Sequence, residues 1–171
     1  MVANVAGYLE DAYLIFTVEI FSHNAAVRKT NPKKVYCVDH SVAMAVSGSL
    51  TQDSGKVLEN IVYMHIRRHT DRIYYARTSE GFEIDFAVLR PGQQISPETP
   101  PVLIQVAYDI SDEATRRREL RALTSGMKEY RSDVAILITW NMEEKINTEN
   151  GIIHVMPAWK FLLSRKFDEW N

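Results

Sequence analysis

Apolar residues recur at helical spacing at Val2, Val5, Ala6, Leu9, Tyr13 and Phe16, a pattern that predicts an amphipathic helix over 2–16, weakened by about 1 kcal/mol at Gly7. β-Branched and aromatic residues over 13–21 allow a short strand to follow, and the polar stretch 22–34, with Asn31-Pro32, reads as a loop. The run Val35-Tyr36-Cys37-Val38-Asp39 reads as a buried strand ending on an acid. Thr51, Asp53 and Ser54 are candidate caps for a helix whose apolar stripe is Val57, Leu58, Ile61, Met64 and Ile66, with Glu59 and Tyr63 on one stripe. Residues 72–77 and 82–89, separated by a turn at 78–81, predict an antiparallel hairpin. Four prolines in 91–101 exclude helix interior and central strand, so this segment is an extended loop leading to a strand over 102–108.

A helix capped at Ser111 follows, with Asp112 and Glu113 beside its positive end and Leu120, Leu123, Met127 and Tyr130 on its buried side. The apolar run 134–140 suits a strand buried on both faces, 143–151 reads as a charged turn, 152–156 as a further strand, and Pro157 as the start of a last helix. From residue 51 onward the order is α-β-β-β-α-β-β-α. This predicts an α/β fold with a mixed central sheet flanked by helices over 51–171, preceded by a linker or small helical, winged-helix-like appendage over 1–50.

Composition narrows the function classes. With 171 residues, 46% of them hydrophobic, the chain can bury one core of substantial size. A net charge of −2 excludes coating of nucleic acid by bulk charge and leaves only local basic patches. The single cysteine, Cys37, builds no disulfide framework. No apolar run approaches the roughly 18 residues needed to span a bilayer, so no membrane partner and a cytoplasmic location are expected.

The candidate chemistry lies in Glu59, Asp85 and Gln105. A hard cation such as Mg²⁺ or Mn²⁺ takes oxygen ligands, which a helix acid, a strand acid and a neutral carboxamide oxygen can supply. Residue 107 shares a strand face with 105, where a lysine would steady an attacking water; alanine stands there. On spacing alone, the simpler reading is an acid at a strand end and a solvated glutamate. His65 and His69 share a helix face, but Arg67, Arg68 and Arg72 oppose zinc there. The stretch 48–56 has the wrong glycine spacing for a phosphate loop, and Val57 replaces the hydroxyl residue such a loop needs. Arg67, Arg68 and Arg77, with Tyr74 and Tyr75 nearby, form one candidate nucleic-acid patch and Arg116 and Arg117 another, each more simply read as a solvated face.

Three segments together, Gly55-Lys56-Val57-Leu58-Glu59-Asn60 with Tyr63, Arg77-Thr78 with Glu83-Ile84-Asp85-Phe86, and Leu103-Ile104-Gln105-Val106, resemble the C-terminal domain of unknown function carried by many prokaryotic, notably archaeal, AAA-type ATPases. The stretches 8–16 and 33–39 resemble the segment joining the ATPase part to that domain, and Ile138-Thr139-Trp140 and Pro157-Ala158-Trp159-Lys160 resemble the tail of archaeal members. The resemblance implies a PD-(D/E)XK, restriction-endonuclease-like fold in which Glu59 is the helix acid, Asp85 the strand acid, Gln105 the third metal position and Ala107 the lysine position. Two of those positions depart from the active pattern. The implied function is a degenerate, non-cleaving accessory domain of an AAA-type ATPase that binds nucleic acid or a partner protein. The alternatives are a Mg²⁺- or Mn²⁺-dependent DNA endonuclease, with Lys56 or Arg116 as a migrated cation, and a docking or oligomerisation module. No ATPase activity is expected of this chain.

Overall fold

A computed structural model of the chain describes residues 2–41 and 53–164. The elements run α1 (Val2–Asp11), β1 (Ile15–Val18), α2 (Ala25–Thr30), β2 (Lys34–Cys37), α3 (Ser54–Arg67), β3 (Ile73–Arg77), β4 (Glu83–Val88), β5 (Val102–Val106), α4 (Glu113–Tyr130), β6 (Val134–Thr139), β7 (Glu144–Thr148), β8 (Gly151–Pro157) and α5 (Ala158–Leu163). The first helix is shorter than its apolar spacing predicts. It stops at Asp11, Tyr13 takes a positive φ of 56°, and the β-branched residues beyond form β1.

The predicted mixed sheet is present, with six strands in the order β3-β4-β5-β6-β8-β7. β3, β4 and β5 pair antiparallel, β5, β6 and β8 parallel, and β7 closes the far edge antiparallel to β8. The stretch 143–151 is therefore a strand and its turn rather than a turn alone. The loop expected over 22–34 contains α2, capped by the Asn24 side chain accepting from the Ala26 N–H at 2.9 Å. Asp53 caps α3, and Asp112 rather than Ser111 caps α4, its carboxylate accepting from the Thr115 N–H at 2.8 Å. Ser54, a second cap candidate, is the first residue of α3, while Thr51 and the first part of 48–56 lie outside the described residues.

Two apolar layers sandwich the sheet. On one face Leu58, Val62, Tyr63 and Ile66 of α3 and Phe161 of α5 pack on Phe86, Ile104, Ile136 and Ile138. On the other, Leu123 and Met127 of α4 pack on Ile84, Leu103, Ala135 and Leu137. The N-terminal segment joins the first layer. β1 and β2 form a two-stranded antiparallel sheet, and Val18, Ile20 and Tyr36 are buried with the α3 residues. β3 does not end the sheet bare, because Phe21 N–H donates to the Tyr75 carbonyl at 2.6 Å and Tyr75 N–H to the Glu19 carbonyl at 3.0 Å. No helix among the described residues is long and apolar enough to cross a membrane.

Candidate functional site

The site forms where β4 and β5 part company. Their backbone ladder runs Val88↔Val102, Ala87↔Leu103 and Phe86↔Ile104, then stops. Buried backbone donors beyond that point need partners, and side chains supply them. The Asp85 N–H donates to Gln105 Oε1 at 3.1 Å, and the Val106 N–H donates to Asp85 Oδ2 at 3.0 Å. Asp85 and Gln105 therefore cross-brace two diverging strands.

Around the free oxygen of Asp85 the structure gathers Glu59 of α3 and Glu83 of β4, and it places Lys34 of β2 among them. The Lys34 Nζ lies 2.9 Å from Asp85 Oδ1, 3.1 Å from Glu83 Oε1 and 3.4 Å from Glu59 Oε1. Tyr36, two residues along β2 and so on the same side of the strand, donates its hydroxyl to Glu59 Oε1 at 2.7 Å. Its ring stacks on Tyr63 with centroids 4.2 Å apart. Asn60, next to Glu59, binds the Cys37 backbone twice, accepting from its N–H at 2.9 Å and donating to its carbonyl at 3.0 Å. Helix α3 thus holds β2 through consecutive side chains, and that grip delivers the lysine.

The charge states follow from this crowding. Burial alone lowers the Lys34 ammonium, but the Asp85 and Glu59 carboxylates more than offset it and hold it protonated well above the ordinary lysine value. Burial, reinforced by the Glu59 charge, pushes Asp85 up to about 6 against the pull of Lys34 and the Val106 N–H. Burial of Glu83 is outweighed by Lys34, which holds its carboxyl below the usual range. Burial and the adjacent Glu59 push the Tyr36 hydroxyl far up, so it acts as a donor.

Gln105 and Ala107 do not join Glu59. Period-two alternation puts Leu103, Gln105 and Ala107 on the α4 side of β5, and Ala107 is buried in that layer with Leu123 and Met127. There the Gln105 Nε2 donates to Glu119 Oε2 at 2.9 Å, and Arg118 holds the other oxygen of Glu119 at 2.6 Å. Among the described residues no group of three or more His, Cys, Asp or Glu side chains is arranged to hold a metal ion. The migrated cations expected at Lys56 and Arg116 are elsewhere, Lys56 paired with Asp53 at 3.2 Å and Arg116 with Glu144 at 2.6 Å. Lys34, Tyr36, Glu83 and Glu119 are the participants that sequence spacing does not reveal.

The nucleic-acid patches are similarly engaged. Arg77 pairs with Glu83 at 3.2 Å, Arg117 with Glu113 at 3.7 Å, and Arg67 lies over the Phe16 ring at 5.3 Å, while Arg68 is exposed at the end of α3. His65 and His69 rings sit 4.8 Å apart, and burial lowers His65 to about 4.

A mixed α/β sheet domain with an acid cluster at a strand divergence is thus defined by its own geometry. The chain belongs to the family of domains of unknown function designated DUF4143, whose pattern matches residues 54–161. It is 29% identical over 94% of its length to an uncharacterized protein of Methanocaldococcus jannaschii, and spans 36% of that relative. Among solved structures, 68% of the chain matches 31% of a chain from an assembly of Thermococcus gammatolerans McrB AAA+ hexamers with bound McrC, at 13% identity and a TM-score of 0.42.

Proposed function

We propose that this domain is a nuclease-fold accessory module of an AAA-type ATPase that has lost phosphodiester cleavage and works by binding a partner. The ATPase association rests on the resemblance of the joining segments 8–16 and 33–39 and on family membership. The loss of cleavage rests on one observation: the position where acids on α3 and β4 approach each other is filled by the Lys34 ammonium at 2.9–3.4 Å from three carboxylates. A divalent ion does not fit that arrangement. It needs the same oxygens, and a lysine in its place repels it. Gln105, the third expected ligand, has its carbonyl oxygen bound to the Asp85 N–H and its amide bound to Glu119. Binding through the charged surface is also less suited to DNA than to protein, since Arg77, Arg116 and Arg117 are each matched by a carboxylate.

The second reading, a Mg²⁺- or Mn²⁺-dependent endonuclease, draws on the same Lys34, because a lysine beside Asp85 is what β5 lacks at Ala107. One assay separates the two. Plasmid and single-stranded DNA incubated with the purified chain in Mg²⁺ or Mn²⁺ are expected to stay intact. Cleavage that disappears in Asp85→Ala overturns the non-catalytic reading.

A further inference from the structure

An exposed aromatic ledge lies at the carboxyl ends of β5 and β6, outside the carboxylate cluster. Tyr108 and Trp140 stack with centroids 5.2 Å apart and planes at 24°, and remain 39% and 54% exposed. The stack is fixed from below, since the Trp140 N–H donates to the Tyr108 carbonyl at 3.0 Å and so extends the parallel pairing of the two strands by one bond. Beside it the first turns of α3 form the wall of a shallow apolar cavity lined by Ser54, Val57, Leu58, Ile61, Tyr108 and Trp140. Val57 and Ile61 lie on the outward side of α3, and Ile61 is 41% exposed although its own helix has a separate buried stripe through Leu58, Val62 and Ile66. A stacked pair on hydrogen-bonded backbone, set against an apolar notch, has the form of a docking surface.

The charge around it selects the partner. Each aromatic residue leads into an acidic stretch, Tyr108 into Asp109, Asp112 and Glu113 at the start of α4, and Trp140 into Glu143 and Glu144 at the start of β7. Of the cations of this end, Arg116 pairs with Glu144, Arg117 with Glu113, Lys160 with Glu143 and Lys56, beside the α3 wall, with Asp53, while Lys145 is exposed next to Glu144 in sequence. Asp109 and Asp112 are met only by hydroxyl and backbone donors, Ser111 for the first and the Thr115 N–H for the second, with no cation among the described residues. The backbone N–H of Thr115 also holds the Asp112 carboxyl below its usual range, so it is ionised at neutral pH. The ledge therefore presents surplus negative charge next to exposed aromatic faces. That combination disfavours phosphates and favours a guanidinium on the Trp140 indole.

We propose that the Tyr108–Trp140 ledge is a docking site for a protein segment in which an arginine adjoins an apolar side chain, the arginine on the indole and the apolar group in the Val57–Ile61 notch. This deepens the partner-binding half of the reading above and narrows its partner to protein.

The test uses the full chain and the fluorescein-labelled heptapeptide Gly-Leu-Arg-Pro-Leu-Arg-Gly, read by anisotropy. Saturable binding is expected, weakened about tenfold or more in Trp140→Ala, the size a desolvated cation–π contact supplies. Asp109→Asn and raised salt are expected to weaken it less. Both substituted side chains are exposed, and circular dichroism verifies that the variants remain folded. The twin peptide with glutamate in place of arginine, and a labelled single-stranded oligonucleotide, are expected not to bind. Absence of saturable arginine-peptide binding, equal binding of the glutamate twin, binding unchanged in Trp140→Ala, or Trp140-dependent oligonucleotide binding overturns the proposal. The cleavage assay and this titration have separate readouts, so either reading can fail alone.

Discussion

At the scale of single residues, Lys34 decides the chemistry of the site. It is a charge with 22% of its side chain exposed, set between carboxylates on two elements, so removing it leaves Glu59, Glu83 and Asp85 facing one another. Breaking a fully buried pair costs about 3–5 kcal/mol. Allowing for partial solvent screening, Lys34→Met is expected to lower stability by about 1–3 kcal/mol in urea unfolding at pH 7. A loss indistinguishable from zero would mean the ammonium is no more than a surface ion pair. Asp85 supplies a pH signature. Its carboxyl rises from 3.8 to about 6 on folding, so the unfolded chain releases this proton first as pH climbs between those values. The unfolded state then binds fewer protons than the native one, and stability falls across that window and levels off above it. Lys34 acts in the opposite region: its contribution is present below 10.5 and is lost as pH rises through its raised folded value. In the difference between wild type and Asp85→Asn, the wild-type urea midpoint is expected to decline relative to the variant from about pH 4 to about pH 6. Parallel pH profiles for the two proteins would refute the assignment.

At the scale of elements, sequence pattern located most of what burial stabilises and missed β7 and α2, which it does not; β2, whose apolar run reads as a buried strand, buries only Tyr36 and leaves Val35 56% exposed. β4, β5 and β6 carry apolar runs because both sheet faces are covered, β8 is fully buried only at alternate residues, and α3 and α4 carry helical stripes because each has one covered side. β7, Glu-Lys-Ile-Asn-Thr, has one apolar residue and owes its conformation to backbone pairing with β8 at the sheet edge. α2 buries no residue, so its sequence left no periodicity to read. The site was legible only in part for a different reason. Glu59 and Asp85 do converge, but Lys34 reaches them from 25 and 51 residues away, and nothing local in β2 signals the encounter. The strand-face rule correctly put Gln105 and Ala107 on one side of β5; which side depends on where α4 packs. That packing is close at Gly126, where an added Cβ would press into the Ile84 Cδ1 and lie 3.1 Å from Leu103 Cδ1. Helix propensity favours Gly126→Ala by about 1 kcal/mol, while overpacking costs about 1–3 kcal/mol. Net destabilisation is expected in urea unfolding, and a stabilised variant would show that α4 stands further from β4 and β5 than described.

At the scale of the whole molecule, the family pattern begins at residue 54, yet the physical unit does not. Val18, Ile20 and Tyr36 are 2%, 8% and 5% exposed and belong to the layer that α3 builds on the sheet. The Tyr75 hydroxyl donates to the Pro32 carbonyl at 2.7 Å, and the 19–21 backbone pairs with the edge of β3. A chain starting at Asp53 would uncover Tyr63, Tyr75 and Phe86, open the β3 edge to pairing with other chains, and leave the carboxylates of Glu59, Glu83 and Asp85 without their ammonium. Each fully exposed large apolar side chain costs about 1.5–3 kcal/mol, so uncovering several consumes a large part of the 5–15 kcal/mol that holds a typical domain folded. The 53–171 fragment is therefore expected to unfold at a lower urea midpoint than the full chain and with a broader transition, and to associate as concentration rises in light scattering. Cooperative unfolding at the full-chain midpoint by a monomeric fragment would show that residues 2–41 are a dispensable covering, and Lys34 would then have to be read as an incidental neighbour of the acid cluster.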